Sequence, residues 1–198
     1  MEVAFRFDCN KVIFIGDIID NHYPSYHETD PDGMGGGDEL ELTVKKISKW
    51  YDMFPKADVC LGNHDRIIMR KAFSNGISTR WIKGLDEVLG TPGWNFELDF
   101  EYDNVVYTHG EGGGGINGAL SKALNKRKSI VQGHWHTESH IRWNVSDFDR
   151  LFAMQVGCGV DDKAYSMAYA KNNIKKSIIS CGVVLDNGRL PIIIPMDL

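Results

Sequence analysis

The sequence predicts an α/β fold in which two packed β-sheets are flanked by helices. Three observations carry this expectation. The chain opens in the order strand, loop, helix, strand, helix; beyond Pro92 the apolar period shifts from 3.6 to 2, with short strands following one another; and a composition of 42% hydrophobic and 25% charged residues is that of an ordinary globular domain. A chain of 198 residues buries roughly 70% of the surface that its unfolded form exposes, so its core needs neither a disulfide nor a structural metal. No repeat or linker divides it, and a single domain over 1–198 is expected.

The first element is Lys11–Ile15, a β-branched run that stops at Gly16 and leaves Asp17 at the exit of a buried strand. From Asn21 to Gly37 the composition turns to His, Tyr, Pro, Asp and Gly, which reads as a long loop beside whatever that strand feeds. Asp38 followed by Glu41 starts a helix in the manner of a capping box, and Leu40, Val44, Ile47 and Tyr51 give it an apolar face that ends near Pro55. Ala57–Leu61 is a second strand closed by Gly62, followed by a helix over Arg66–Phe73. Ile82, Leu85 and Leu89 mark another helical stretch. Asn95–Phe100 and Asn104–Thr108 read as adjacent strands turning at Tyr102–Asp103, and Ala119–Lys128 as a short basic helix. Ser129–Gln132, Ser139–Val145, Leu151–Val156, Ile178–Leu185 and Leu190–Pro195 complete the strands.

Charge and hydropathy exclude several classes of function. A net charge of −5, from 22 basic and 27 acidic residues, argues against broad electrostatic binding to nucleic acid. Apolar runs such as Val12–Ile15 and Ile192–Ile194 fall far short of the roughly 18 residues that a membrane span requires, and Met1–Asn10 lacks the pattern of a signal peptide. A soluble, cytoplasmic protein is expected. Cys9, Cys60, Cys158 and Cys181 form no C-x-x-C pair and read as reduced, mostly buried thiols.

Four segments place metal-capable side chains directly after predicted strands: Gly16-Asp17-Ile18-Ile19-Asp20, Gly62-Asn63-His64-Asp65, Thr108-His109-Gly110 and Gly133-His134-Trp135-His136. Loops that leave strand carboxyl ends converge in α/β sheets even when they are distant in sequence. One carboxylate, one amide oxygen and three imidazoles would meet there. Mixed oxygen and nitrogen donors suit Mn, Fe, Zn or Ni, while the lack of thiolates disfavours a structural zinc site.

This ordered set, GD-x-x-D, GNHD, a later H-G and GH-x-H, resembles the calcineurin-like metallophosphoesterases over roughly Val12 to His136. The resemblance implies a four-layer α/β/β/α sandwich and hydrolysis of a phosphate ester, a phosphodiester rather than a monoester, by a metal-activated hydroxide. It implies two divalent metals, manganese first among the candidates, about 3.5–4 Å apart and bridged by Asp17. Asn63, His109 and His134 would complete one site and His136 would ligate the other, with His64 serving as general acid. Asp65, next to His64, is placed to orient or charge that imidazole, and Asp20 is a candidate acceptor behind a ligand; helix capping is the alternative for both.

The family pattern begins with a D-x-H segment at an earlier strand exit, which nothing before Gly16 matches. Asp8-Cys9-Asn10 is nearest, but it enters the Lys11–Ile15 strand instead of leaving an earlier one. The chain is therefore expected to lack the first strand of the sandwich, with a first metal site reduced to Asp17 and His136. A strand edge left beside Lys11–Ile15 would favour an oligomer. Two functional readings stand side by side, a metallophosphoesterase and a degenerate relative that binds metal or a phosphate ligand without turnover.

Other features carry weaker signals. His22 and His27, with Tyr23, Tyr26 and Asp30, follow the GD segment; His27 is the candidate for binding substrate, and solvated loop residues are the alternative. Gly110 to Gly115 fits G-x-G-x-x-G, a pattern that five glycines in six residues satisfy trivially, so a loop beside His109 is expected over a nucleotide-binding turn. Lys122, Lys126, Arg127 and Lys128 could meet a nucleic-acid backbone, but cations near a helix C-terminus are expected from the helix dipole.

Overall fold

The computed structural model describes residues 2–26, 32–160 and 176–196, and these form a mixed α/β structure with several sheets. The chain divides into two compact units, Met1–Leu98 and Asp99–Leu198. His27 lies outside the described residues.

In the first unit, β1 (Ile13–Phe14), β2 (Ala57–Cys60) and β3 (Trp94–Glu97) make a parallel sheet in that order. All four residues of β2 are buried, as expected of a central strand covered on both faces. Phe14 pairs in register with Val59, and Ala57 with Trp94. The expected strand from Lys11 is thus confined to Ile13–Phe14, although Asp58 N still donates to Val12 O at 3.1 Å.

The crossover from β1 to β2 includes α2 (Gly36–Met53), whose Val44, Ile47 and Tyr51 pack with Val59, Leu89 and Trp94. Phe14 stands at the centre of an aromatic cluster, 4.8 Å from Trp94 and 5.8 Å from Trp50 between ring centroids. Trp94 Nε1 donates to Phe54 O at 2.7 Å, so the buried indole is satisfied. The unit is completed by α1 (Glu2–Arg6), α3 (Ile67–Ser74), a 3₁₀ turn at Thr79–Trp81 and α4 (Leu85–Leu89). No sequence signal marks α1, and Ile82, expected to be helical, has extended backbone before α4.

The second unit holds a five-stranded mixed sheet in the order β4 (Asp99–Tyr102), β5 (Val105–Thr108), β6 (Ser129–Gln132), β8 (Arg150–Val156), β7 (Ser139–Val145). The stretch that reads as one strand, Asn95–Phe100, is divided at the half-exposed Leu98 into β3, which pairs with β2, and β4, which pairs with β5. The β4–β5 turn lies at Asp103–Asn104, one residue later than expected. Both residues have positive φ, 51° and 61°, the requirement of a tight two-residue hairpin.

Between β5 and β6 runs α5 (Gly118–Lys126), whose Ala119 and Ala123 pack against Val106, Ile130 and Ala153. A hairpin of β9 (Ser180–Leu185) and β10 (Leu190–Pro195) accompanies this sheet. Gly182 permits its close approach, since a Cβ there would come within 2.6 Å of Met154 Sδ. No disulfide joins the four cysteines, and no helix among the described residues is long and apolar enough to cross a membrane.

Candidate functional site

Two strand exits in the first unit are tied together by one carboxylate. Beyond β1, Gly16 and Asp17 both take left-handed backbone conformations, φ 86° and 51°; beyond β2 comes the turn Gly62-Asn63-His64-Asp65. Asp65 is 2% exposed. Its Oδ2 accepts from the backbone N–H of Asp17 and of Gly62, each at 2.8 Å, and its Oδ1 accepts from Ile19 N at 3.3 Å. Burial pushes this carboxyl up to about 6, opposed by those three N–H groups and reinforced by the neighbouring Asp17 charge.

Asp17 is held in return: its Oδ1 accepts from His64 N at 2.9 Å. A side chain on Gly62 would collide with the Asp17 carboxylate and backbone nitrogen, which explains why glycine opens the GNHD turn.

His64 is set by Asp20, through a 2.6 Å contact from Nδ1 to the Asp20 carbonyl oxygen and a 3.5 Å approach to its carboxylate. Asp20 accordingly raises the imidazole to about 9, against the opposing effect of burial. The two acidic residues have therefore exchanged the positions expected for them. Asp65 secures backbone and Asp20 orients His64, because in so tight a turn the carboxylate that follows His64 is directed into the interior while the imidazole, only partly buried, turns toward Asp20. Asn21 Nδ2 donates to His64 O at 2.8 Å and fixes the turn from the loop side. Asn63 and His64 line a cavity of about 250 Å³ together with Tyr26, Ile67 and Arg70.

The second unit presents paired imidazoles. His109 follows β5 and His134 follows β6, adjacent parallel strands with Thr108 in register with Gln132. His109 Nε2 and His134 Nδ1 stand 3.0 Å apart, their rings crossing at 76°. His109 is 3% exposed. His134 has φ 70°, a conformation that costs a non-glycine residue about 1–2 kcal/mol and concentrates at functional positions.

Two buried glutamines and the half-buried Lys122 hold the backbone beside this pair. Gln132 Nε2 donates to Gln155 Oε1 at 2.8 Å, and Gln155 Nε2 donates to Gly133 O at 2.5 Å, just before His134. Lys122 Nζ donates to Gln132 Oε1 at 3.1 Å and to Gly110 O, just after His109. Gly133 N donates to His109 O at 3.0 Å. His136 belongs to the same loop, where its carbonyl accepts from Ile178 N at 2.8 Å.

Metal-capable side chains are thus present in both units, the Asp17 carboxylate in the first and the His109 and His134 imidazoles in the second. The donor set fits a divalent cation. Nitrogens 3.0 Å apart subtend about 90° at an ion about 2.1 Å from each, the relation of neighbouring ligands around a six-coordinate ion and narrower than a tetrahedral zinc site favours.

Gln132, Gln155 and Lys122 are site residues that the motif pattern does not reveal, although a glutamine at the end of each apolar run Ile130-Val131-Gln132 and Ala153-Met154-Gln155 is a readable signal. The basic cluster at the end of α5 is engaged with acidic partners: Lys126 with Asp99 at 2.9 Å, Arg127 with Asp149 at 2.5 Å, and Lys128 with Glu101. No protein-family model matches the chain, and no curated protein sequence matches it significantly.

Proposed function

We propose that the protein is a metal-dependent phosphoesterase acting on a phosphodiester, built as a four-layer α/β/β/α sandwich, in which Asp17, Asn63, His109, His134 and His136 hold divalent cations, manganese first among them. The observation that carries this reading is the His109–His134 pair, two imidazole nitrogens 3.0 Å apart at adjacent strand ends, supported by buried glutamines that contribute nothing to an apolar core. Cations bound by these residues would lower the pKa of a coordinated water and neutralise charge on the phosphoryl oxygens.

The chain's own residues do the rest. Asp17 supplies a carboxylate from a backbone that Asp65 immobilises. His64, gripped through Nδ1 by Asp20, presents Nε2 to give a proton to the departing alkoxide. Asn63 and His64 share the wall of one cavity, so an ester seated there would meet both an amide ligand and the acid.

Hydrolysis of bis(p-nitrophenyl) phosphate with Mn²⁺ tests the proposal. Turnover that falls at least 100-fold in His64→Ala and in Asp17→Ala is the expected result; metal-loaded protein inert on phosphate esters overturns it. The second reading, metal binding without turnover, rests on the donor count, since of the proposed ligands Asp17 and His136 remain for one of the two cations. Calorimetric titration with Mn²⁺ separates them: two sites per chain contradict the non-catalytic reading, and one site without hydrolysis favours it.

A further inference from the structure

One segment of the acidic first unit carries a charge opposite to that of the whole chain. From Arg66 to Lys83 the sequence has five basic residues, Arg66, Arg70, Lys71, Arg80 and Lys83, and no acidic one, in a protein of net charge −5. The same segment exposes two large aromatic rings, Phe73 at 84% and Trp81 at 85%. Neither contributes to a core, and exposed rings interleaved with cations mark a binding surface in preference to a solvated face.

The segment is not a flat patch. The 250 Å³ cavity beside Asn63 and His64 shares two walls, Tyr26 and Arg70, with a larger cavity of about 470 Å³ that runs past Arg66 and Met69 to Phe73. A groove therefore leads from the proposed acid along α3. Arg70 lies over the Tyr26 ring, 5.1 Å from its centroid, and Lys71 Nζ is 5.2 Å from the same centroid. These contacts hold two cations at the groove without neutralising them. Among the described residues no carboxylate pairs with Arg70.

We infer that this groove is the binding track for a single-stranded nucleic acid, the chain on either side of the scissile phosphodiester, with Arg66 and Arg70 facing its phosphates, Phe73 in the groove wall stacking a base, and Trp81, on the 3₁₀ turn that contacts α3, stacking a base beyond the groove. The inference rests on the phosphodiester reading above and adds the substrate class. Single strands are favoured over duplex because exposed aromatic rings can stack only on bases already free of a partner, and a cationic groove lined by such rings is how sequence-tolerant single-strand binding is built. A membrane surface would match the charge and the rings but gives no role to a groove that ends at His64.

The test measures binding without catalysis. Fluorescence anisotropy of a labelled ten-nucleotide oligothymidylate is followed with the whole protein in EDTA and at increasing salt. Saturable binding that weakens steadily with salt is expected. Arg70→Glu should weaken it at least tenfold, and Phe73→Ala and Trp81→Ala about fivefold or more each, with circular dichroism and thermal unfolding confirming that each variant is folded. A competing duplex of equal length should displace the probe poorly.

The inference is overturned if the oligonucleotide does not bind, if folded variants bind as the parent does, if duplex competes equally, or if anionic phosphatidylserine vesicles bind and the oligonucleotide does not. Bis(p-nitrophenyl) phosphate hydrolysis without oligonucleotide binding would remove the track and leave the phosphoesterase reading. Binding without hydrolysis would do the reverse.

Discussion

The two units hold their candidate ligands by different means. In the first, Asp17 and the GNHD turn are loop residues, and a buried carboxylate, Asp65, draws the backbone N–H groups of Asp17, Gly62 and Ile19 onto itself. In the second, His109 and His134 stand at the ends of paired strands, so the sheet itself sets their spacing. Uncharged glutamines need only fix the loop that follows. The contrast is that of a charge gathering irregular backbone against a ladder projecting side chains. The first arrangement concentrates its cost in one residue, whereas the second spreads it over several.

Removing the hub should therefore be the most damaging change. Asp65→Ala removes the acceptor of three N–H groups, two of them bonded to Oδ2 at 2.8 Å, and should cost about 3 kcal/mol or more, read as a lower midpoint in urea denaturation. A loss below about 1 kcal/mol would mean that water replaces the carboxylate and that the contrast between the units is overstated.

Next comes Gly62→Ala, whose methyl group collides with Asp17. About 1–3 kcal/mol of strain is expected, together with weaker Mn²⁺ binding by calorimetry, since Asp17 must move. Unchanged metal affinity would remove Asp17 from the ligand set.

Gln155→Leu interrupts the polar chain of the second unit, leaving Gln132 Nε2 without its partner and removing one of two donors to the Gly133 carbonyl, which keeps the Trp135 N–H. About 2 kcal/mol of stability should be lost. Because the sheet continues to set the strand ends, Mn²⁺ affinity should fall by no more than the roughly 10–100-fold typical of groups behind a ligand. Complete loss of binding would show that the glutamines, and not the strands, place the imidazoles.

The smallest effect is expected from Lys128→Ala, which breaks an exposed ion pair with Glu101 and should alter stability by about 0.5 kcal/mol or less. Oligothymidylate binding should be unchanged, which would separate the cations at and just beyond the end of α5, engaged with carboxylates, from those along α3.

Much of this arrangement is legible in the order of the amino acids. Ser129–Gln132 and Leu190–Pro195 are short runs around consecutive β-branched residues, Ser139–Val145 alternates polar residues with Ile141, Trp143 and Val145, and the strands have those same bounds. The candidate ligands stand out by their position after strands next to glycine. Partnership is what the order does not record. Asn95–Phe100 looks continuous because alternation records which face a residue takes, not which strand it pairs with, and only the register shows β3 on β2 and β4 on β5. Asp20 and Asp65 are likewise recognisable as acidic residues near His64, but their roles depend on which way a tight turn directs each side chain. Half of the groove along α3 is written in the sequence, since Arg66, Met69, Arg70 and Phe73 recur at i, i+3, i+4 and i+7 on one helical face, but Tyr26 is forty residues away from Arg66 and joins them only because a loop folds onto the helix.

By itself the sequence determined the α/β class, the order of most elements and the residue types available for a metal, since period, β-propensity and strand-ending glycines are local properties. Only the tertiary structure decided that His109 and His134 stand 3.0 Å apart, that Asp65 is buried as a backbone hub, and that a cationic groove ends at His64. Distances, burial and the direction of a side chain depend on contacts between residues dozens of positions apart, and such contacts leave no local trace in the chain.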